Sequence, residues 1–165
     1  MVLLKVKNSI LVIILALVLA GCGIYSFSGS MRSGIETIAV PVFENKSVEF
    51  GIAEELTSGV IDEFVSDNTL KVIPKSNADA ILNGTITRYD RVAYTYDEND
   101  QVQEYKVNIT VNVNLSKTDG TIVWEEAALN AYGIYSADSE TEEDGKIRAI
   151  AKAAEDIVNL TIRDW

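Results

Sequence analysis

The sequence predicts an α+β fold, a two-layer sandwich in which two helices pack on one face of a four- to five-stranded mixed sheet. Two segments carry apolar residues at helical spacing, and the segment between them alternates apolar and polar residues as a strand does. Each helix has a single apolar stripe. We therefore expect both helices to cover the same face of the sheet and to leave its Asn- and Thr-rich face exposed.

The first part of this domain is predicted as strand, helix and strand. Residues 36–43, ETIAVPVF, form a β-branched apolar run that ends in the turn-like residues 44–47. Because proline cannot donate a backbone hydrogen bond, Pro41 is expected at a sheet edge or at a bulge. Helical spacing then covers residues 51–66, and residues 70–73 form a short strand.

The central part is predicted as a long β-hairpin. Residues 105–115 alternate apolar and polar without exception, residues 80–96 have extended character, and residues 97–100 form the turn. A turn centred between Glu98 and Asn99 pairs the apolar residues at the base of the hairpin. The pairs expected are Ile86 with Val111, Gly84 with Val113, and Leu82 with Leu115.

Nearer the hairpin tip, the same register places Arg88 and Asp90 on the face that should be apolar. Either a bulge intervenes or the tip projects past the core, and projection is the preferred interpretation. The register also places Arg91 opposite Lys106.

The last part is predicted as a strand followed by a helix. Residues 122–135 form a third long strand, interrupted by Glu125 and Glu126. Ser139 and Glu142 have the spacing of a capping box, and the apolar spacing of the helix continues to about Arg163.

The N-terminal segment predicts an exported lipoprotein. Lys5 and Lys7 precede an apolar run over residues 10–20, which as a helix spans about 16 Å against a hydrocarbon core of roughly 30 Å. Small residues then lead into Cys22, as at a lipoprotein cleavage site. The prediction is a signal peptide over 1–21, a lipidated Cys22 with a flexible tether over 22–34, and one domain over 35–165. The alternative is an uncleaved anchor with an incidental cysteine.

Composition argues against several classes of function. The chain has no histidine and only one cysteine, which removes Ser-His and Cys-His catalysis, disulfides and the commonest metal ligands. We therefore expect no enzyme, catalytic residue, metal or cofactor. The mature part has 12 basic residues against 25 acidic ones, because Lys5 and Lys7 leave with the signal peptide. This charge disfavours nucleic acid as a partner.

Three segments carry a resemblance to a known family. Residues 23–29 (GIYSFSG) after the cysteine, 38–45 (IAVPVFEN) before the first helix, and 80–89 (AILNGTITRY) resemble the lipopolysaccharide-assembly lipoprotein LptE family. The resemblance implies two helices on a small sheet, in a periplasm-facing lipoprotein of the outer membrane. It also implies a plug inside a large β-barrel partner, LptD, that helps to insert lipopolysaccharide into the outer leaflet. Gly23 follows the lipidated cysteine, where an aspartate would favour retention in the inner membrane, so it agrees with sorting to the outer membrane.

Candidate glycolipid contacts lie on the central hairpin. Lipid A phosphates call for Arg or Lys donors, and Arg88, Arg91 and Lys106 are close together in the predicted register. Facing cations repel each other unless an anion lies between them, so these three residues are a candidate phosphate-binding site. The alternative is that they form solvated pairs with neighbouring acidic residues.

Candidate partner contacts are the hairpin tyrosines Tyr89, Tyr94, Tyr96 and Tyr105. Tyrosines are common anchors in interfaces, although these could equally be core and rim residues of the sheet. Two other classes of function stay open. One is a lipoprotein scaffold of another envelope or secretion complex, and the other is an enzyme that uses carboxylates alone.

Overall fold

The computed structural model describes residues 34–163, so the predictions for the signal peptide, for Cys22 and for the tether up to residue 33 lie outside the described residues. The described part forms six strands and two helices. In chain order these are β1 (Thr37–Ala39), β2 (Glu44–Asn45), α1 (Ile52–Asp67), β3 (Lys71–Val72), β4 (Ala80–Tyr96), β5 (Val102–Lys117), β6 (Ile122–Ser136) and α2 (Glu142–Arg163).

The strands form one mixed sheet in the order β3-β1-β4-β5-β6, and β2 pairs with β4 beyond β1. The short strands β1, β2 and β3 pair in parallel, whereas β4, β5 and β6 are antiparallel. The predicted fold class is confirmed, and the sheet has one short strand more than expected.

The chain around Pro41 differs from the prediction. The expected strand over 36–43 is interrupted, because β1 ends at Ala39 and the chain rejoins the sheet only at β2. β1 lies between β3 and β4 rather than at an edge. Since a proline inside a paired strand would remove a ladder hydrogen bond, the strand ends before Pro41. The first two residues of the predicted turn over 44–47 become β2.

The base of the central hairpin has the predicted register. Ile86 pairs with Val111, and the pairs Gly84–Val113 and Leu82–Leu115 follow. At the tip, the side chain of Asp97 accepts the backbone N–H groups of Asn99 and Gln101, both at 2.8 Å. The third long strand, β6, pairs along β5 with two register shifts, one between Ile122 and Trp124 and one between Glu126 and Leu129.

Both helices begin and end close to their predicted positions, but the cap of α2 differs. The carboxylate of Asp144 accepts the backbone N–H of Thr141 at 2.8 Å and its hydroxyl at 2.7 Å. The cap of α2 is therefore the Asp144 carboxylate on Thr141, and the predicted capping box of Ser139 and Glu142 is wrong. Glu142 instead faces the sheet, where it contacts tyrosine and arginine side chains.

The core lies between the two helices and one face of the sheet. Its fully buried side chains come from α1, α2 and the long strands, and they include Ile52, Leu56, Val60, Phe64, Ala149, Ala153, Ile157, Leu82, Ile86, Ile109 and Leu115. The other face of the sheet is polar, and Asn83, Thr87 and Asn112 are exposed there. Within residues 34–163, neither helix has the length and apolar character needed to cross a membrane.

Candidate functional site

A β-bulge at Thr87 decides which face each hairpin residue occupies. Ile86 pairs with Val111, but Arg88 pairs with Thr110, so Thr87 is the extra residue. The residues from Arg88 to Ala93 therefore change face relative to the predicted register, and two further register shifts follow between Ala93 and Tyr96. The bulge is therefore the correct one of the two interpretations, and the preferred one, projection without a bulge, is wrong. Arg91 pairs with Val107, not with Lys106.

Arg91 lies on the helix side of the sheet, in a cluster of aromatic and acidic side chains. Its guanidinium carbon is 4.4 Å from the centre of the Tyr105 ring. Tyr105 stacks on Tyr135, with ring centres 5.5 Å apart, and Arg91 Nη1 donates to the Tyr135 hydroxyl at 3.3 Å. Arg91 Nη1 also lies 3.4 Å from Glu142 Oε2. Arg91 thus joins β4, β5 and β6 to the start of α2.

Tyr89 belongs to the same cluster. Its hydroxyl donates to Glu142 Oε1 at 3.0 Å. Burial, together with the hydrogen bond to Glu142 and the charge of its carboxylate, raises the pKa of the Tyr89 hydroxyl well above its usual value. Tyr89 and Tyr105 are therefore half-buried packing residues on the helix side.

Arg88 and Lys106 lie on the opposite, open face of the sheet. Arg88 Nε is 2.6 Å from Asp90 Oδ1. Lys106 Nζ lies 5.2 Å from the centre of the Tyr94 ring and 5.5 Å from that of Tyr132. Since Arg88 pairs with Thr110, four residues beyond Lys106 on β5, the backbone positions of the two residues are about 13 Å apart along the sheet. The structure does not bring the three candidate cations to one point.

Three exposed tyrosines lie at the hairpin tip and on the open face. Tyr94 and Tyr96 are 47% and 57% exposed. Tyr132, which the sequence analysis did not select, is 54% exposed beside Lys106. Its outward position could have been found from β6, where Ala131, Gly133 and Tyr135 alternate as the buried residues.

A buried lysine joins the two helix N-termini to the loop before α1, and the sequence analysis also missed it. The Lys146 side chain is 8% exposed, and Nζ lies 2.9 Å from Glu143 and 3.4 Å from both Glu49 and Glu55. Burial alone would lower the pKa of this ammonium group. The hydrogen bonds and charges of Glu143 and Glu55 outweigh burial and raise the pKa above its usual value.

Replacing Lys146 with methionine is expected to lower the free energy of unfolding by about 1–2 kcal/mol at pH 7. The change leaves three carboxylates without their shared cation, but these are partly exposed, so the cost is below that of a fully buried pair. Because the folded-state pKa is raised above 10.5, the stabilisation is complete at neutral pH and is lost only as pH rises through the folded-state value. Urea unfolding measures the difference.

The matched control for that variant is Lys152→Met on the same helix. Lys152 pairs with Asp156 and Glu155 at 2.8 and 3.3 Å, but its side chain is 47% exposed. A solvated pair of this kind contributes about 0.5 kcal/mol or less. Equal destabilisation by the two variants would contradict the central position given to Lys146.

The described residues offer no metal site. No group of three or more His, Cys, Asp or Glu side chains among residues 34–163 has an arrangement that could hold a metal ion.

Comparison with known proteins gives one family match and several similar structures. The model of the LptE family, described as lipopolysaccharide-assembly, matches residues 35–162. No curated protein matches the sequence. Among the solved structures with a similar fold are three from Chlamydia trachomatis, Xanthomonas campestris and Acinetobacter baumannii. The hypothetical protein CT253 from Chlamydia trachomatis is 10% identical, with a TM-score of 0.57, over 77% of this chain and 95% of that chain. Protein XCC0632 from Xanthomonas campestris is 12% identical, with a TM-score of 0.53, over 79% and 85%.

The third similar structure is a minor lipoprotein from Acinetobacter baumannii. It is 14% identical, with a TM-score of 0.50, over 76% of this chain and 90% of that chain. At such low identity, these three structures establish the similarity of fold alone.

Proposed function

Since the chain belongs to the LptE family of lipopolysaccharide-assembly proteins, we propose that it is a lipid-anchored, periplasm-facing protein of the outer membrane that plugs and supports an LptD-like β-barrel. The observation that carries this proposal is the family match over residues 35–162, which spans both helices and all six strands of the described part. The proposed task is assembly rather than catalysis, so no catalytic residue is assigned.

The proposed anchor is Cys22. In this proposal residues 1–21 are removed as a signal peptide, the Cys22 thiol carries the diacylglycerol, and residues 22–34 tether the domain over 35–165. Two or three acyl chains contribute about 0.8 kcal/mol per buried methylene, which is enough for stable anchoring. A Cys22→Ser variant would then lack the lipid mass and leave the outer-membrane fraction.

The proposed partner contacts are the exposed residues of the hairpin. Tyr94 and Tyr96 are exposed and would contact the barrel wall. Tyr89 and Tyr105 pack on the helix side of the sheet and would stabilise the hairpin there. Arg88 and Lys106 are available for lipopolysaccharide phosphates on the open face. Arg91, which is already bonded to Tyr135 and Glu142, would position the hairpin rather than contact the glycolipid.

The test of the proposed function is purification of the lipidated protein from outer membranes through a C-terminal tag in mild detergent. We expect a large β-barrel protein to be recovered in an equal amount. Recovery of another envelope complex would favour the general scaffold, and recovery of no barrel would contradict the proposal.

Replacing Tyr94 and Tyr96 together with serine is expected to lower the amount of recovered barrel at least tenfold. Exposed tyrosines that become buried in an interface are common hot spots, and a tenfold change corresponds to about 1.4 kcal/mol. Circular dichroism should show an intact fold. The control is Ile122→Ser, at the other end of the sheet and 57% exposed. An undiminished yield from the double variant would rule out the hairpin tip as the contact.

A further inference from the structure

The loop between β2 and α1 exposes two apolar side chains almost completely. Val48 is 93% exposed and Phe50 is 96% exposed. We call residues 46–51 the Phe50 loop. A single exposed apolar residue is ordinary, but two almost fully exposed ones, Val48 and Phe50, give the loop an apolar tip.

The Phe50 loop is held in shape by its own hydrogen bonds. The side-chain oxygen of Asn45 accepts the backbone N–H and the hydroxyl of Ser47 at 2.9 and 2.8 Å. The side-chain amide of Asn45 donates to the Glu49 carbonyl oxygen at 2.7 Å. Glu49 is also paired with buried Lys146. These bonds fix the conformation of the loop, so less conformational entropy would be lost when its apolar tip binds a partner.

A groove of about 510 Å³ between the two helices continues this surface. Its apolar or small lining residues are Gly59, Ile147, Ile150 and Ala151. Ile147 is 56% exposed there. Glu55 and Glu143 line the groove and share Lys146 with Glu49 of the Phe50 loop, so the loop adjoins the groove at this lysine.

The charge of this surface indicates what would cover it. Glu55, Asp62 and Glu143 line the groove. Of the two cations on this surface, Lys146 is buried beneath the carboxylates, and Lys46 of the Phe50 loop is paired with Glu44 at 3.3 Å. Membrane-surface elements combine apolar residues with Lys and Arg, because the lipid surface is anionic. An acidic border therefore disfavours a lipid surface and complements a protein segment that carries cations.

We propose that the Phe50 loop and the interhelical groove form one docking surface for an apolar segment flanked by Lys or Arg on the β-barrel partner. This inference rests on the proposed function and adds to it a second contact, separate from the hairpin tip. Phe50 inserts between apolar side chains of the partner segment, and the partner cations meet Glu55, Asp62 and Glu143.

Photo-cross-linking from position 50 tests this docking surface directly. The lipidated, full-length protein carries benzoylphenylalanine in place of Phe50 or, as control, in place of Ile122, and the products are identified after purification through the tag. We expect position 50 to cross-link to the co-purified barrel within an apolar segment bordered by Lys or Arg. Position 122 is expected to give no barrel product.

Two substitutions measure the two components of the surface. Phe50→Ser is expected to lower barrel recovery at least tenfold, because a phenylalanine that the partner would bury is replaced by a small polar residue. Asp62→Lys, which reverses an exposed charge outside the Lys146 cluster, is expected to lower recovery about fivefold or more, whereas Glu125→Lys on the open face of β6 should not. Phe50→Ser and Asp62→Lys should have the same urea midpoint of unfolding as the wild type.

The outcomes separate this inference from the proposed function. Full barrel recovery with Phe50→Ser and no cross-link at position 50 would overturn the docking surface and leave the proposed function standing. Cross-linking to lipid, or Phe50-dependent flotation with phosphatidylethanolamine–phosphatidylglycerol vesicles, would show that the tip meets a membrane and would overturn it as well. If the wild-type protein recovers no barrel, the proposed function fails, and this inference fails with it.

Discussion

Replacing Gly133 with alanine is expected to lower the free energy of unfolding by about 3 kcal/mol or more, a large effect for the addition of one methyl group. Gly133 is buried on β6 directly beneath α2. A Cβ atom there would overlap the carbonyl oxygen of Gly145 and lie 2.7 Å from the amide nitrogen of Ala149. These are backbone atoms of the helix, so no side-chain rotation can relieve the overlap, and α2 must move away from the sheet.

Gly59→Ala is the matched control for this variant, because it adds the same methyl group where there is room. A Cβ at Gly59 would lie 3.4 Å from Ile150 Cγ2 and 3.6 Å from Ala154 Cβ, which are ordinary contacts. Since alanine is the better helix former, the control should be neutral or stabilised by up to about 1 kcal/mol. Urea unfolding followed by circular dichroism compares the two, and a wild-type midpoint for Gly133→Ala would contradict the close strand–helix contact.

Much of the sheet could be predicted because it follows from alternation. The strict pattern of β5 identifies its buried face, and the register predicted from the turn is right at the base of the hairpin, from Leu82–Leu115 to Ile86–Val111. The bulge at Thr87 has no such local signal. The reversal of the pattern after Ile86 is visible in the sequence, but a projecting tip and an extra residue both account for it, and only the three-dimensional pairing distinguishes them.

The candidate surfaces were harder to predict, because they depend on contacts distant in sequence. Lys146 is separated from Glu49 by 97 positions and from Glu55 by 91, so neither partner is apparent from the helix that carries it. Phenylalanine is usually a core residue, so the exposure of Phe50 is apparent only from the path of the loop between β2 and α1. The predicted register placed Arg91 opposite Lys106. The bulge at Thr87 instead places Arg91 on the helix side of the sheet, beside Tyr105 and Glu142.

Replacing Gly84 with alanine is expected to lower the free energy of unfolding by about 2–3 kcal/mol, through a contact with an aromatic ring rather than with backbone. Gly84 lies on β4 under the ring of Phe43, which is only 3% exposed. A Cβ at Gly84 would lie 2.6 Å from Phe43 Cγ and still closer to two other ring carbons. Because the ring is enclosed by the core, it cannot turn away without displacing its neighbours.

A double-mutant cycle with Phe43 separates this overlap from a general weakness of β4. Phe43→Ala alone should cost about 3–5 kcal/mol, because it leaves a cavity under the loop between β1 and β2. In the double variant the new methyl group enters that cavity instead of meeting the ring. Gly84→Ala should therefore cost at least about 1 kcal/mol less in the Phe43→Ala background than in the wild type. Strict additivity would mean that the ring does not rest on Gly84, and that the position of the chain around Pro41 is fixed by other contacts.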